Sequence, residues 1–333
     1  VTLTELWFLI IAFLWLGYFV LEGFDFGVGM LLPLVGRDET DRRVAINTIG
    51  PVWDGNEVWL IVAGASTFAA FPEWYATLFS GFYLPLLLIV LALIVRAVSF
   101  EFRGKRAEAR WKAGWDAAII AGSAVPALLW GVAFGNIVRG VPLDARHEFV
   151  GSLGSLLNPY ALLFGLTTLA LFATHGAIFL ALKTHGPVRD RARRIALPVG
   201  LVAAVAAVVF LTWTQLHTGT VLSAVLATGA AVALLAGLTA SRMGRDGIAF
   251  AGTAAAIGLA VVSLFAAIYP DVLPATDPAH SLTIHNASST PYTLRVMSWV
   301  ALAFTPFVLA YQAWSYWVFR RRLGRHDIAG AAE

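Results

Sequence analysis

The chain has 333 residues, 59% hydrophobic and only 13% charged, where a soluble domain carries about 25% charged residues. The absence of cysteine excludes disulfides, thiolate metal sites and cysteine nucleophiles, and the formal net charge is only +3, so its distribution matters more than its size. Nothing in this composition points to nucleic acid.

Apolar runs of about 20 residues recur along the whole chain. They predict nine spans at 5–34, 44–70, 74–101, 114–137, 158–183, 193–214, 219–240, 247–269 and 293–319. The expected fold is an all-α integral membrane protein, a single polytopic domain over 1–333 with nine transmembrane helices. The first run is too long for a signal peptide. It carries Glu22 and Asp25 at its far end and is followed by no small-residue cleavage site, so it is expected to remain as the first span. Pro72, Pro159 and Pro291 fall at helix starts, where proline is tolerated. Pro51, Pro85 and Pro126 fall inside spans and predict kinks. A repeat of 1–140 by 155–270, with 293–319 as a peripheral last helix, is an open reading that no similarity between the halves proves.

Lys and Arg set the expected orientation. Arg37, Arg42 and Arg43 follow the first span, and Arg103, Lys105, Arg106, Arg110 and Lys112 follow the third. Further clusters follow the fifth and seventh spans, and the tail carries Arg320, Arg321, Arg322 and Arg325. The other side has only Arg139, Arg146 and Arg295. The N-terminus is therefore expected outside and the C-terminus in the cytoplasm. All loops are short, with no room for a soluble catalytic or nucleotide-binding domain. The longest outer one, 270–292, holds His280 and His285.

The polar residues inside the spans are the candidate site. An ionised carboxylate in hydrocarbon costs roughly 2.5 kcal/mol or more, so acids persist there only against protein, water or a partner. The first span carries Glu22 and Asp25, and the second carries Asp54, Asn56 and Glu57. Each pair of acids is three residues apart and shares a helix face. Asp25 lies twelve residues before Arg37 and Asp54 eleven after Arg43. At 1.5 Å per residue both sit about 18 Å from those charges, so antiparallel neighbours bring Asp25 and Asp54 to one level. Arg96 on the third span and His175 on the fifth lie in the same half. One reading is a proton-conducting chain of Asp25, Asp54, Glu57 and Glu22. The other is that these acids bond Arg96, indole N–H groups or helix ends and lock the helices together. Trp53 and Trp59 read as packing residues, and Gly23 and Gly27 form a small-residue face for close helix packing.

A haem needs a His, Met, Cys or Tyr axial ligand. Only His175 lies deep in a span; His217 is near an outer end, and Met30, Met243 and Met297 sit at span ends. No two histidines have bis-His spacing. A helix-packing or proton-linked role suits His175 better, and the chain is expected to ligate no metal or redox cofactor.

Gly23-Phe24-Asp25-Phe26-Gly27-Val28-Gly29 and Gly50-Pro51-Val52-Trp53-Asp54-Gly55-Asn56-Glu57-Val58-Trp59 closely resemble subunit II of cytochrome bd quinol oxidases. So do Phe82-Tyr83-Leu84-Pro85, Arg96-Ala97-Val98-Ser99-Phe100-Glu101, Leu157-Asn158-Pro159-Tyr160 and Thr283-Ile284-His285-Asn286-Ala287-Ser288. The resemblance implies two four-helix bundles plus one peripheral helix, paired with a homologous subunit I in the bacterial cytoplasmic membrane. It implies a complex that oxidises quinol and reduces dioxygen to water with cytoplasmic protons, generating proton motive force. Two b haems and one d haem are expected in subunit I. The positions matching Asp25 and Asp54 are expected on a proton pathway, with Trp53, Glu57 and Arg96 in the same matched stretches. Small single-helix subunits and a bound quinone, menaquinone or ubiquinone, are left open. Two other readings stand beside this one: a proton-coupled transporter, and a purely architectural membrane subunit.

Overall fold

The structure is a computed structural model that describes residues 1–328; the last five residues of the expected 1–333 domain, 329–333, lie outside the described residues. In chain order the helices are α1 (Leu3–Val35), α2 (Glu39–Ile49), α3 (Trp53–Ala70), α4 (Pro72–Gly81), α5 (Tyr83–Phe102), α6 (Ala109–Arg139), α7 (Leu153–Leu156), α8 (Pro159–Lys183), α9 (Gly186–Thr218), α10 (Val221–Arg242) and α11 (Asp246–Ile268). A two-stranded ribbon follows, β1 (Asp271–Leu273) and β2 (Leu282–Thr283), and then α12 (Pro291–Val318). Capping residues set several starts. The Asn158 side chain accepts from the Ala161 N–H at 3.0 Å ahead of Pro159, and Thr290 accepts from Thr293 N–H ahead of Pro291.

Among the described residues, eight helices are long and apolar enough to cross a membrane, one fewer than the sequence suggests. The difference is the expected second span, 44–70, which is in two pieces. Its first part belongs to the polar α2, and the chain turns at Gly50–Val52 before α3 begins. Pro51, which cannot donate a helical hydrogen bond, lies in this turn, and the expected kink is here a full break. At 18 residues α3 is about 27 Å long, but Asp54, Asn56 and Glu57 crowd its first turns. The third expected span is also divided, at Phe82 between α4 and α5, three residues ahead of Pro85. Pro126, by contrast, is carried within a continuous α6.

Within the first half α1 packs on α3 and α6, and α5 packs on α6. Within the second half α8 packs on α9 and α11, and α10 packs on α11. The halves meet through α1 against α8, flanked by α6 against α8 and α1 against α11. Glycine makes the central crossing: a Cβ on Gly27 would lie 2.0 Å from the Phe172 carbonyl oxygen and 2.7 Å from Gly176 Cα. The backbones touch there, as small residues allow in membranes. Above this crossing Trp15, Tyr18, Phe19, Trp130 and Phe134 fill the seam with edge-on rings. Helix α12 rests on the outside; Leu294 is its one buried residue among those described.

The two ends of the bundle differ. At the arginine-rich end the cations are not simply solvated. Asp116 accepts from Arg103 at 2.5 Å and Arg42 at 2.9 Å, and Glu39 binds Arg103 at 2.8 Å and Lys112 at 3.1 Å. Asp41 pairs with Arg191, Asp38 with Arg325 at 2.6 Å, and Asp246 with Arg189 at 2.6 Å. This collar ties the loops and the tail together. At the other end the segment after α11 folds over the helices. Its β1 pairs antiparallel with β2, Ala275 bridges to Val141, and Val272, Leu273, Leu282 and Ile284 are fully buried.

Candidate functional site

Three of the four intramembrane acids converge on one cluster. Glu22 and Asp25 project from one face of α1, Arg96 comes from α5, and Asn56 and Glu57 come from α3. Glu22, Asp25, Asn56 and Arg96 are all 0% exposed. Arg96 Nη1 donates to Glu22 and, at 3.1 Å, to Glu57. Its guanidinium also lies over the rings of Phe26 at 4.9 Å and Phe100 at 5.4 Å. The Arg96 backbone approaches α6 only because residue 122 is glycine: a Cβ there would lie 2.7 Å from Arg96 Cβ and 2.8 Å from the Ala92 carbonyl oxygen.

Asp25 is held differently. Its Oδ2 accepts from Asn56 Nδ2 at 2.6 Å. The Asn56 carbonyl in turn accepts from Tyr316 at 2.7 Å and Gln312 at 3.1 Å, both on α12. The chain Asp25–Asn56–Tyr316 therefore runs from the last third of α1 to α12, on the outside of the bundle. One oxygen each of Glu22 and Asp25, and Nε and Nη2 of Arg96, have no hydrogen-bond partner among the described residues. Three carboxyl groups thus share the neighbourhood of one guanidinium, so within this chain the cluster is electrically neutral only when it carries protons.

Asp54 stands apart. It is exposed in the first turn of α3 and makes no hydrogen bond or ion pair among the described residues. Asp25 and Asp54, expected at one level, make no contact with each other; the hydrogen-bond partner of Asp25 is Asn56. The buried stripe of α3 runs through Asn56, Ala63, Thr67 and Ala70, and a two-residue spacing puts Asp54 about 200° round the helix from Asn56. Glu57 shares the edge of that face, with its side chain 20% exposed. Trp53 is half-buried and stacks obliquely on Phe100 at 5.1 Å.

Comparison with known proteins places the chain in a family. A model of cytochrome bd terminal oxidase subunit II matches residues 3–319. The chain is 40% identical to the cytochrome bd ubiquinol oxidase subunit 2 of Bacillus subtilis, covering 98% of each chain. It is 36% identical to the cytochrome bd-I ubiquinol oxidase subunit 2 of Escherichia coli, covering 97% of this chain and 96% of that one. The chain belongs to the cytochrome bd terminal oxidase subunit II family. A bd oxidase structure from Geobacillus thermodenitrificans shares the fold, with a TM-score of 0.79 over 96% of this chain and 99% of that one at 15% identity. This subunit II is therefore part of a bd-type quinol oxidase, a multi-pass bacterial membrane protein that assembles with subunit I in a haem-containing complex.

Among the described residues of this subunit II, no group of three or more His, Asp or Glu side chains is arranged to hold a metal ion. His175, the one deep histidine, has both ring nitrogens engaged. Nε2 faces the Val20 carbonyl at 3.1 Å and so carries a hydrogen, and Nδ1 meets the Thr253 hydroxyl at 2.7 Å. The ring stacks on Phe250 at 4.7 Å. It joins α8 to α1 and α11, well away from the carboxylates in its bonding, and neither nitrogen is open to a haem iron.

Sequence reasoning missed Gln312, Tyr316 and Gly122. Gln312 and Tyr316 are four residues apart in a mostly apolar span, the spacing of one helix face. That pair was a usable signal. Gly122 carried none.

Proposed function

We propose that this subunit II holds a protonatable relay for the oxidase, built from Glu22, Asp25, Glu57 and Arg96, with Asn56 as the hydrogen-bonded link and Asp54 as an outer acid. The carrying observation is the charge imbalance of a buried cluster: three carboxyl groups, one guanidinium, and one unpartnered oxygen on each of Glu22 and Asp25. Such a cluster binds and releases protons with small rearrangements, because its neutral and charged forms use the same contacts. The lysine and arginine asymmetry supports an outside N-terminus and a cytoplasmic C-terminus, so protons would enter from the collar side. Asp54, exposed beside Glu57, faces in that direction along α3.

In this reading subunit I carries two b haems and one d haem, and the complex oxidises quinol while reducing dioxygen to water. The named relatives are ubiquinol oxidases; ubiquinol and menaquinol are both chemically suited, and bound quinone, lipid and small single-helix subunits belong to the complex rather than to this cluster. The matching neighbour relations of α1, α3, α5, α6 and α8, α9, α10, α11 support the reading of 1–140 and 155–270 as a structural repeat.

A specific observation favours a second role for part of the cluster. Arg96 bonds acids on both α1 and α3 from α5, which is how a purely structural clamp is built. Asp25→Asn separates the two. It preserves shape and burial but removes the proton site. The relay predicts oxygen-reduction turnover about tenfold lower, or about 1.4 kcal/mol of barrier, with haem content and quinol binding unchanged. Unchanged turnover with full haem content would overturn the relay, and loss of haem in proportion to turnover would assign Asp25 to architecture.

A further inference from the structure

Ser123 of α6 is fully buried, and its hydroxyl is the only buried one without a hydrogen-bond partner among the described residues. A buried hydroxyl on a helix ordinarily turns back to a carbonyl of its own helix. Thr67 does so to Ala63 at 2.9 Å, Ser99 to Val95 at 2.6 Å and Thr174 to Ala170 at 2.8 Å. The Ser123 hydroxyl turns away from α6 and toward α1. A Cβ on Gly29 would overlap its oxygen and lie 2.9 Å from its Cβ, so the hydroxyl has room there only because residue 29 is glycine.

Gly29 continues the face of α1 that carries the acids: Glu22, Asp25 and Gly29 follow at intervals of three and four. Gly29 is one turn from Asp25 toward the arginine-rich end, about 6 Å of helix. The neighbour of Ser123 on α6, Gly122, packs against Arg96. The Ser123 hydroxyl thus belongs to the same junction of α1, α5 and α6 as Glu22 Oε2, Asp25 Oδ1, Arg96 Nε and Arg96 Nη2, each of them buried and without a partner among the described residues. Two of these atoms are carboxylate acceptors, two are guanidinium donors, and the hydroxyl serves as either. Donors and acceptors gathered in a buried polar junction are what an internal water requires, and one water between two hydrogen bonds spans about 6 Å.

We propose that Ser123 holds an internal water against Asp25, and that this hydrated step carries the relay one turn toward the arginine-rich end. The inference rests on the relay reading and adds to it a residue and a ligand. An excess proton on the water passes to the Asp25 carboxylate and leaves a neutral water and a neutral acid; only O–H bonds form and break. Ser123 is a positioning residue, its oxygen fixing where the water sits. Further along the same face of α6, seven residues before Ser123, Asp116 belongs to the collar, so the step points from the cluster to the side on which the cations gather.

The test uses the assembled, haem-containing oxidase. The first reading is a density map of the wild-type complex that shows ordered water, and it needs no variant. A water within hydrogen-bond reach of both Ser123 Oγ and the Asp25 carboxylate is expected; a dry junction would overturn the proposal. The second reading is oxygen-reduction turnover with quinol in ordinary and in heavy water. Ser123→Ala removes the hydroxyl and adds no bulk. It should slow turnover about fivefold, the effect of one hydrogen bond on a barrier, and raise the ratio of the two turnovers above that of wild type, with the haem spectrum unchanged. Ser99→Ala is the control: its hydroxyl is committed to Val95, and turnover and ratio should stay at wild-type values. Slowing of Ser123→Ala with a wild-type ratio, with haem lost in proportion, or matched by Ser99→Ala, would make Ser123 a packing residue and overturn the proposal. Wild-type turnover in Ser123→Ala beside a slowed Asp25→Asn would remove Ser123 from the relay and leave the relay standing. Wild-type turnover in both would remove the relay, and this step with it.

Discussion

Removing the cation from the carboxylate cluster should be among the most damaging single changes in this subunit. In Arg96→Met the side-chain volume is roughly kept, but the buried partner of Glu22, and of Glu57 at 3.1 Å, is lost. Deleting one member of a buried ion pair costs about 3–5 kcal/mol, because the other is left buried and uncompensated. The lost contacts with Phe26 and Phe100 add about 0.5–2 kcal/mol, partly replaced by the methionine. The expected loss is therefore about 4 kcal/mol. Arg96→Lys should fall between, since one ammonium cannot reproduce the planar fork that reaches two acids. The decisive variant is Arg96→Met with Glu22→Gln, which removes the stranded charge and should recover about 2 kcal/mol. The assay is denaturant unfolding of the purified complex, followed by haem absorbance and tryptophan fluorescence in parallel. Additivity of the two substitutions within about 0.5 kcal/mol would refute the ion pair as an energetic unit.

The crossing of α1 and α8 should be equally intolerant of bulk. Gly27→Ala puts a Cβ 2.0 Å from a backbone oxygen that cannot rotate away, so the helices must part at a cost of about 1–3 kcal/mol or more. Yield of haem-loaded complex reads this, and wild-type yield would contradict it. Gly114→Ala, which meets nothing within 4 Å in α6, should be neutral or gain up to about 1 kcal/mol; a clear loss in the same yield assay would count against the packing argument. In the collar, Asp38 caps α2 by accepting the Asp41 N–H at 2.9 Å and pairs with Arg325. These contacts hold its carboxyl below the usual carboxylate range, the backbone hydrogen bond contributing most. A depressed folded pKa gives stability that is complete above the unfolded value, about 3.9, and is lost as pH falls through the folded value. The stability difference between wild type and Asp38→Ala should therefore be flat from neutral pH to about pH 4 and shrink below it. A difference that grows in acid would reverse the assignment.

The spans were legible because membrane helices must be long and apolar, and α1, α6, α8, α10, α11 and α12 lie within a few residues of their expected bounds. What was not legible came from local backbone events that hydropathy averages away. Pro51 and Pro85 were visible as kinks, yet the sequence does not say whether a kinked helix continues, as α6 does through Pro126, or stops, as it does before Trp53. On α3, Asn56 falls on the buried stripe and Asp54 on the exposed side. The cations of the loops were read for orientation alone. Their pairing with Asp38, Glu39, Asp41, Asp116 and Asp246 required proximity in space between residues as far apart in the chain as Asp38 and Arg325.

Asp25 is the residue at which a structural and a protonic role diverge. Arg96 already joins α1, α3 and α5 through Glu22 and Glu57. A clamp needs nothing more. The position of Asp25 is specified instead by the amide of Asn56, and that donor is satisfied equally well by the side-chain carbonyl of the Asp25→Asn variant. A carboxyl there adds no bond that the variant would lack, while burial of its charge is costly. The same Asn56 is oriented by Tyr316 and Gln312, which reach in from a helix otherwise outside the bundle. In the proposed relay, an acid held by Asn56 alone, with Asn56 oriented by two side chains of α12 and no cation in direct contact with the acid, would serve through its ionisable proton rather than its shape.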